Sequence, residues 1–275
     1  MRSVANDVFR ALKALSEDFE SAPQLADDQR LYRFVAKQIH NSPHYVLPVS
    51  GMIERVPGVP TTVDLAGASC PYSSFTVEFQ VSETGLEMVG QADHVVPSYI
   101  RFAVIQDLRD PALLKQWVAL LAPFITADEA VLYLKGRLMV IPISRVQVPG
   151  EDLSPGNRGW TMGWVVGFID MKQAPFLCGE IAAETGVYER TSIEFKTLAF
   201  GMSGMMAWGE MNKVDGNLDH EINRELGLEM LGAVELMVAL GNKKFTPKAL
   251  TGQERCYSVG NPPFQASILI KPASV

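Results

Sequence analysis

The sequence predicts an α+β protein with a largely antiparallel sheet, N-terminal helices and a long C-terminal helix. Apolar residues recur at three- and four-residue spacing at the start of the chain and again near its end. Between these regions they alternate with polar residues, as in strands that bury one face. The alternating segments are joined by short turns and not by helices, which is typical of antiparallel pairing.

We expect a single α+β domain over residues 1–275. Residues 1–41 are predicted to form a helical N-terminal segment, and residues 72–275 a sheet-containing core. Residues 42–71 lie between them as a long connection with five prolines and three glycines. Connections of this length in compact domains are often functional or mobile.

Four helices are predicted, near residues 4–19, 24–40, 111–122 and 218–240. The third has Asp110 as its N-cap and a proline at the first helical position. The fourth would be about 35 Å long if it were helical throughout.

The sheet is predicted over residues 72–200, and a short C-terminal strand, ASILIKP, can join it. In the strand SSFTVEFQV, apolar side chains face one way and polar ones the other, so we expect Glu78 to be solvated. The segment VLYLKGRLMVIPI predicts a hairpin across Lys135 and Gly136. GWTMGWVVGFID is apolar on both faces, which predicts a central strand.

Composition limits the class of protein. A net charge of −7 disfavours a protein that coats nucleic acid by neutralising phosphates, although it does not exclude a local basic patch. Neither an apolar leader nor a membrane-length apolar run is present, so we expect a soluble cytoplasmic protein. Cys70, Cys178 and Cys256 form no metal or disulfide pattern and are predicted to be free thiols. No cofactor is predicted.

The segment AFGMSGMMAWGEM, residues 199–211, contains a serine between glycines. A nucleophilic serine at a strand-to-helix turn has the pattern G-x-S-x-G. Gly201 and Ser203 fit that pattern, but Met205 stands where the second glycine should be. We therefore predict no catalytic residue here or elsewhere in the chain.

The same segment is rich in methionine, an adaptable side chain that fills cores and also contacts varied partners. Two interpretations are open: a loop folded over the core, or a loop that binds a partner. The partner-binding hypothesis names Met202, Met205, Met206 and Trp208.

A metal site is the alternative suggested by the histidines. His40 and His44 are four residues apart, and a loop could bring them to a metal together with Asp93 or His94. Pro43 precedes His44 and should end the helix before it. Two histidines at a helix end, stabilised there by the helix dipole, are the simpler interpretation.

Two blocks resemble a group of uncharacterised tailed-phage and prophage proteins. PYSSFTVEFQV is similar to a strand of that group that reads aromatic or proline, then W/F-hydrophobic-E-F/Y. Residues 236–244 match a helix end followed by a K-N-type turn, and Gly260, Pro262, Pro263 and Phe264 match a later G-x-P-P-L/F block. The basic, tryptophan-containing tail of the group is absent. The resemblance implies a phage or prophage origin and no established activity.

These observations predict a phage or prophage accessory protein that is non-catalytic and binds macromolecules. The partner is expected to be a host or phage protein, or a second copy of the chain. One alternative is a metal-dependent hydrolase or nuclease with dispersed His and Asp/Glu residues. The other is a nucleic-acid-associated factor, which the net charge disfavours.

Overall fold

The computed structural model describes residues 4–54, 61–63, 68–81, 100–145, 159–163, 165–171, 176–178, 196–199, 218–250 and 266–271. Within them, helices and a mixed sheet confirm the α+β class. The helices are α1 (Ala5–Asp18), α2 (Ala26–Asn41), α3 (Pro111–Leu121), α4 (Ala127–Leu134) and α5 (Leu218–Gly241). The strands are β1 (His44–Val46), β2 (Thr61–Val63), β3 (Ser74–Gln80), β4 (Ile100–Asp107), β5 (Arg137–Arg145), β6 (Trp160–Met162), β7 (Val165–Asp170), β8 (Phe176–Cys178), β9 (Lys196–Ala199), β10 (Thr246–Ala249) and β11 (Ala266–Ile270).

The main sheet has the strand order β10-β11-β1-β3-β4-β5-β7-β9, and β6 pairs with β5 beside β7. From β3 through β4, β5 and β7 to β9 the strands are antiparallel. Strand β1 is parallel to both of its neighbours, β3 and β11. The expectation of a largely antiparallel sheet is met only in part, because β1 adds two parallel pairs. This strand belongs to residues 42–71, which were predicted to be a connection. The C-terminal strand does join the sheet, as β11.

Helices cover both faces of the sheet. α1, α2, α3 and α4 pack on one face, where the apolar cluster includes Trp117, Phe102 and Phe168. α5 packs on the other face against a second cluster that includes Phe75 and Phe79. The central strands are therefore buried on both sides, which places their polar side chains in the interior.

The hairpin predicted across Lys135 and Gly136 is wrong, because residues 131–134 are the last turn of α4. A capping box starts this helix: the Glu129 backbone N–H donates to the Thr126 hydroxyl, and the Thr126 backbone N–H donates to the Glu129 carboxylate. The capping box thus satisfies two of the backbone N–H groups that have no partner within the helix. The local cap thus decided between helix and strand for an apolar run that fits either.

The segment predicted as one central strand is divided into β6 and β7, which pair with different halves of β5. The break lies beside Gly163, whose backbone N–H donates to the Pro142 carbonyl at 2.8 Å. A Cβ atom at Gly163 would lie 2.6 Å from Cγ of Pro142, so a side chain does not fit there.

Helix α5 occupies the range predicted for the long helix and is buried on all sides over residues 228–237. Its outer side is covered by residues of the supposed connection, including the turn Val49–Gly51 and Ile53. Gly51 has a φ of +68° and lies against Gly232 so closely that a Cβ atom would come 3.1 Å from Cα of Gly232. No helix in the described part of the chain is long and apolar enough to cross a bilayer.

Candidate functional site

A buried polar cluster lies where β1 and β3 run side by side. The parallel register sets His44 opposite Thr76 and Val46 opposite Glu78. Thr76 and Glu78 are two residues apart, so both side chains point toward α1 and α2. The His44 Nδ1 atom is 2.7 Å from the Thr76 hydroxyl, and His44 Nε2 is 3.2 Å from the Glu78 carboxylate. The Val4 backbone N–H donates to the same carboxylate at 2.8 Å.

This cluster contains the residue types of a hydrolytic triad but has the opposite arrangement. In such a triad the carboxylate holds Nδ1 and the nucleophile contacts Nε2. Here Glu78 is at Nε2 and Thr76 at Nδ1, and all three side chains are at most 1 % exposed. A hydrogen on Nε2 lets the ring donate to the carboxylate, and the Thr76 hydroxyl donates to the Pro43 backbone carbonyl at 3.3 Å. The cluster therefore joins β1, β3 and the start of α1, and it presents no nucleophile to solvent.

The structure separates the two histidines of the predicted metal set. His40 is exposed at the end of α2, where its ring stacks on Phe9 with 5.2 Å between ring centroids. His44 is buried, and both of its ring nitrogens lie close to side chains of β3. No group of three His, Cys, Asp or Glu residues that could hold a metal occurs among the described residues. Asp93 and His94 lie outside those residues.

An open groove runs between α1 and α2 and has a volume of about 350 Å³. Its floor is formed by Ser16 and Ala36, two small side chains that are almost completely buried. The stacked rings of Phe9 and His40 stand at one end. Small residues facing each other across a helix pair leave room that larger side chains would fill, so these sequence positions create the groove.

The rim of the groove is charged. On α1, Lys13 lies 3.8 Å from Glu17. Arg33 of α2 forms an ion pair with Glu20, which lies in the turn that follows α1. Lys37 has no ion-pair partner among the residues that the structure describes. Each rim glutamate is thus matched by a basic residue, and the groove carries an excess of positive charge in a chain whose net charge is −7.

Cys70 is a free thiol in the described part of the chain and is half-buried. Its Sγ atom lies 3.1 Å from Sδ of Met237. Burial, together with the nearby negative charge of Asp107, raises the pKa of Cys70 to about 12. Because the thiolate is the reactive form, this cysteine is poorly suited to be a nucleophile.

The carboxyl of Glu235 binds α5 to the turn that covers it. Its Oε2 atom accepts a hydrogen bond from the Ile53 backbone N–H at 2.6 Å. Burial is the main cause that raises the pKa of Glu235 to about 8, and the neighbouring Glu54 adds to it. This group is a structural contact within the core, and it faces no cavity described above.

Three consecutive apolar side chains are exposed on α4. Leu132 is 75 % exposed, and Val131 and Tyr133 are exposed beside it. Apolar side chains exposed next to one another are a common feature of surfaces that contact other proteins. Sequence reasoning missed them because it assigned these residues to a strand.

The predicted partner-binding residues Met202, Met205, Met206 and Trp208 lie outside the described residues, as does Ser203. Both interpretations of this segment stay predictions. The groove was also missed by sequence reasoning, although four-residue spacing already placed its charged residues on one side of each helix.

The geometry can be set beside known proteins. The chain matches no protein-family model, no curated protein and no solved structure in the comparisons made.

Proposed function

We propose that this chain is a non-catalytic accessory protein of a phage or prophage and that it acts by binding another protein. The phage origin rests on the sequence resemblance of the SSFTVEFQV strand and the G-x-P-P-F block. The observation that carries the binding function is the open, charged groove between α1 and α2. The exposed apolar residues of α4 support a binding role as well.

The arrangement of the polar residues favours binding over catalysis. The cluster of His44, Thr76 and Glu78 has its hydrogen-bonding atoms turned toward each other in the core. A catalytic group must reach a substrate, and these side chains reach only the protein. The groove, by contrast, offers lysine and histidine side chains to solvent.

The test is capture of a partner in bacteria that carry the phage or prophage, with variants that separate the two surfaces. We expect a discrete protein to co-purify with the tagged chain and to be lost with either Lys37→Glu in the groove or Leu132→Asp on α4. Both residues are exposed, so both variants should melt at the wild-type temperature. Lys115→Glu, an exposed change on α3 outside the groove, is the matched control.

Three results would contradict the proposal. The first is capture of no protein, and the second is a partner that both variants retain fully. The third is an activity of the purified chain that is abolished by substitution of His44 or Glu78. Bound zinc or manganese by elemental analysis would instead favour a metal-dependent hydrolase or nuclease, and retarded DNA at physiological salt would favour a nucleic-acid factor.

A further inference from the structure

We infer that the groove between α1 and α2 accepts an acidic, amphipathic helical segment of the partner protein. This inference rests on the proposed function and names the chemistry of the partner at that site. It follows from the dimensions of the groove, from its floor and from the placement of charge on its rim.

The groove is long enough to contact about two turns of a helix. On α1 it extends from Phe9 to Glu17, and on α2 from Arg33 to His40. These spans are about 10–12 Å long at 1.5 Å per residue, which corresponds to roughly two helical turns on each side. A third helix laid along such a pair makes contacts at three- and four-residue spacing, the usual mode of helix-in-groove recognition.

The floor determines how closely a partner can approach. Ser16 and Ala36 project little, and the Ser16 hydroxyl donates to the Lys13 backbone carbonyl, so it demands no hydrogen bond from a ligand. An apolar side chain of the incoming helix can therefore rest on the floor without leaving a polar group unsatisfied. The stacked rings of Phe9 and His40 offer a second apolar contact at one end.

The rim determines the sign of the partner's charge. Glu17 and Glu20 are neutralised by Lys13 and Arg33, while Lys37 has no ion-pair partner among the described residues. Carboxylates of an acidic segment would lie opposite these cations. The net charge of −7 repels such a segment at long range, but charges further apart than about 8 Å are largely screened at physiological ionic strength. Local attraction at the rim is then the larger effect.

The inference is tested with synthetic peptides and purified chain. One probe is an amphipathic helical peptide of leucine and glutamate, and the other carries lysine at every glutamate position. Calorimetry should show binding of the acidic peptide and a weaker or undetectable affinity for the basic one. The double variant Lys13→Glu/Lys37→Glu should bind the acidic peptide about tenfold or more weakly. Ion pairs between the two lysines and the glutamates of the peptide are lost, and the new glutamates repel the peptide. Lys115→Glu should leave the affinity unchanged.

A second variant separates occupation of the groove from general attraction between charges. Ala36→Leu fills the floor without any change in charge and should also weaken binding of the acidic peptide. Circular dichroism checks that this variant is folded. Equal binding of the two peptides, or an acidic-peptide affinity that the charge reversal leaves unchanged, would overturn the inference. If the captured partner survives Lys13→Glu/Lys37→Glu but is lost with Leu132→Asp, the groove inference fails while protein binding stands. If no partner is captured at all, the proposed function itself fails.

Discussion

Replacement of Glu235 by glutamine should remove a pH dependence from the stability of the fold. Glu235 is 6 % exposed in α5, and its carboxyl accepts the Ile53 backbone N–H. Burial, reinforced by the charge of Glu54, raises the pKa of Glu235 from its ordinary value of 4.5 to about 8, although backbone hydrogen bonds act in the opposite direction. Glutamine keeps an accepting oxygen of the same size and carries no charge at any pH.

The sign and the magnitude of this pH dependence follow from the linkage between proton binding by Glu235 and folding. Because the folded pKa lies above the unfolded one, the protonated carboxyl stabilises the fold fully below about pH 4.5, and this contribution is lost as the pH rises to about 8. Each tenfold change in proton affinity is worth about 1.4 kcal/mol, so the whole contribution is about 5 kcal/mol. Most of it disappears between about pH 5 and about pH 8. The free energy of unfolding of Glu235→Gln minus that of the wild type should therefore increase by about 3 kcal/mol as the pH rises from about 5 to about 8.

Urea denaturation followed by tryptophan fluorescence at about pH 5 and about pH 8 measures this difference. Glu17→Gln is the matched control, because Glu17 is exposed and its loss should change stability by less than about 0.5 kcal/mol. A Glu235→Gln variant that is equally less stable than the wild type at both pH values would refute the reasoning. Such a result would mean that the hydrogen bond from Ile53 keeps the carboxylate ionised in the fold.

Three further outcomes are expected. Gly51→Ala should lower the free energy of unfolding by about 1–3 kcal/mol, and by more than Gly136→Ala does. Both glycines have a positive φ, but of the two only Gly51 would place its Cβ atom against backbone. Equal losses in urea titrations would contradict this. Glu78→Leu should cost about 3 kcal/mol in the same measurement, because it removes the carboxylate that holds a buried histidine, and an unchanged stability would show that the pair is dispensable. In a variant whose other two cysteines are serine, Cys70 should react with an aromatic disulfide reagent about a hundredfold or more slowly in the folded state than in urea, because burial raises its pKa to about 12; similar rates would refute the burial of this thiol.

Local signals predicted α1, α2, α3 and α5 well, because they act within a few residues of the chain, whereas α4 was predicted as part of a hairpin. The Asp110 side chain accepts the Ala112 backbone N–H at 2.8 Å, and α3 begins at the proline that the sequence indicated. The long helix likewise occupies Leu218–Gly241, close to the predicted range of 218–240. Two local signals were passed over: the capping box of Thr126 and Glu129, and HYVL, residues 44–47, a short apolar run of the kind that forms buried strands.

The candidate site was predicted less well, because it depends on pairs of distant segments. Four-residue spacing suggested that His40 and His44 act together, yet the helix ends between them and they lie in different environments. The groove needs the small residues of α1 to face those of α2. That alignment is produced by packing of the helix pair on the sheet, and neither helix specifies it alone.

Glu78 shows most clearly the boundary between sequence and tertiary structure. Alternation in SSFTVEFQV determined that Glu78 lies opposite Phe75, Val77 and Phe79, and the structure agrees with this division of faces. The pattern also suggested a solvated face, because a strand covered on only one side usually exposes its polar residues to solvent. Only the packing of α1 and α2 on that side buries the carboxylate, and only the parallel register of β1 supplies a histidine to hold it. Sequence alternation fixes which side chains share a face, whereas the environment of each face depends on segments that the chain brings there from afar.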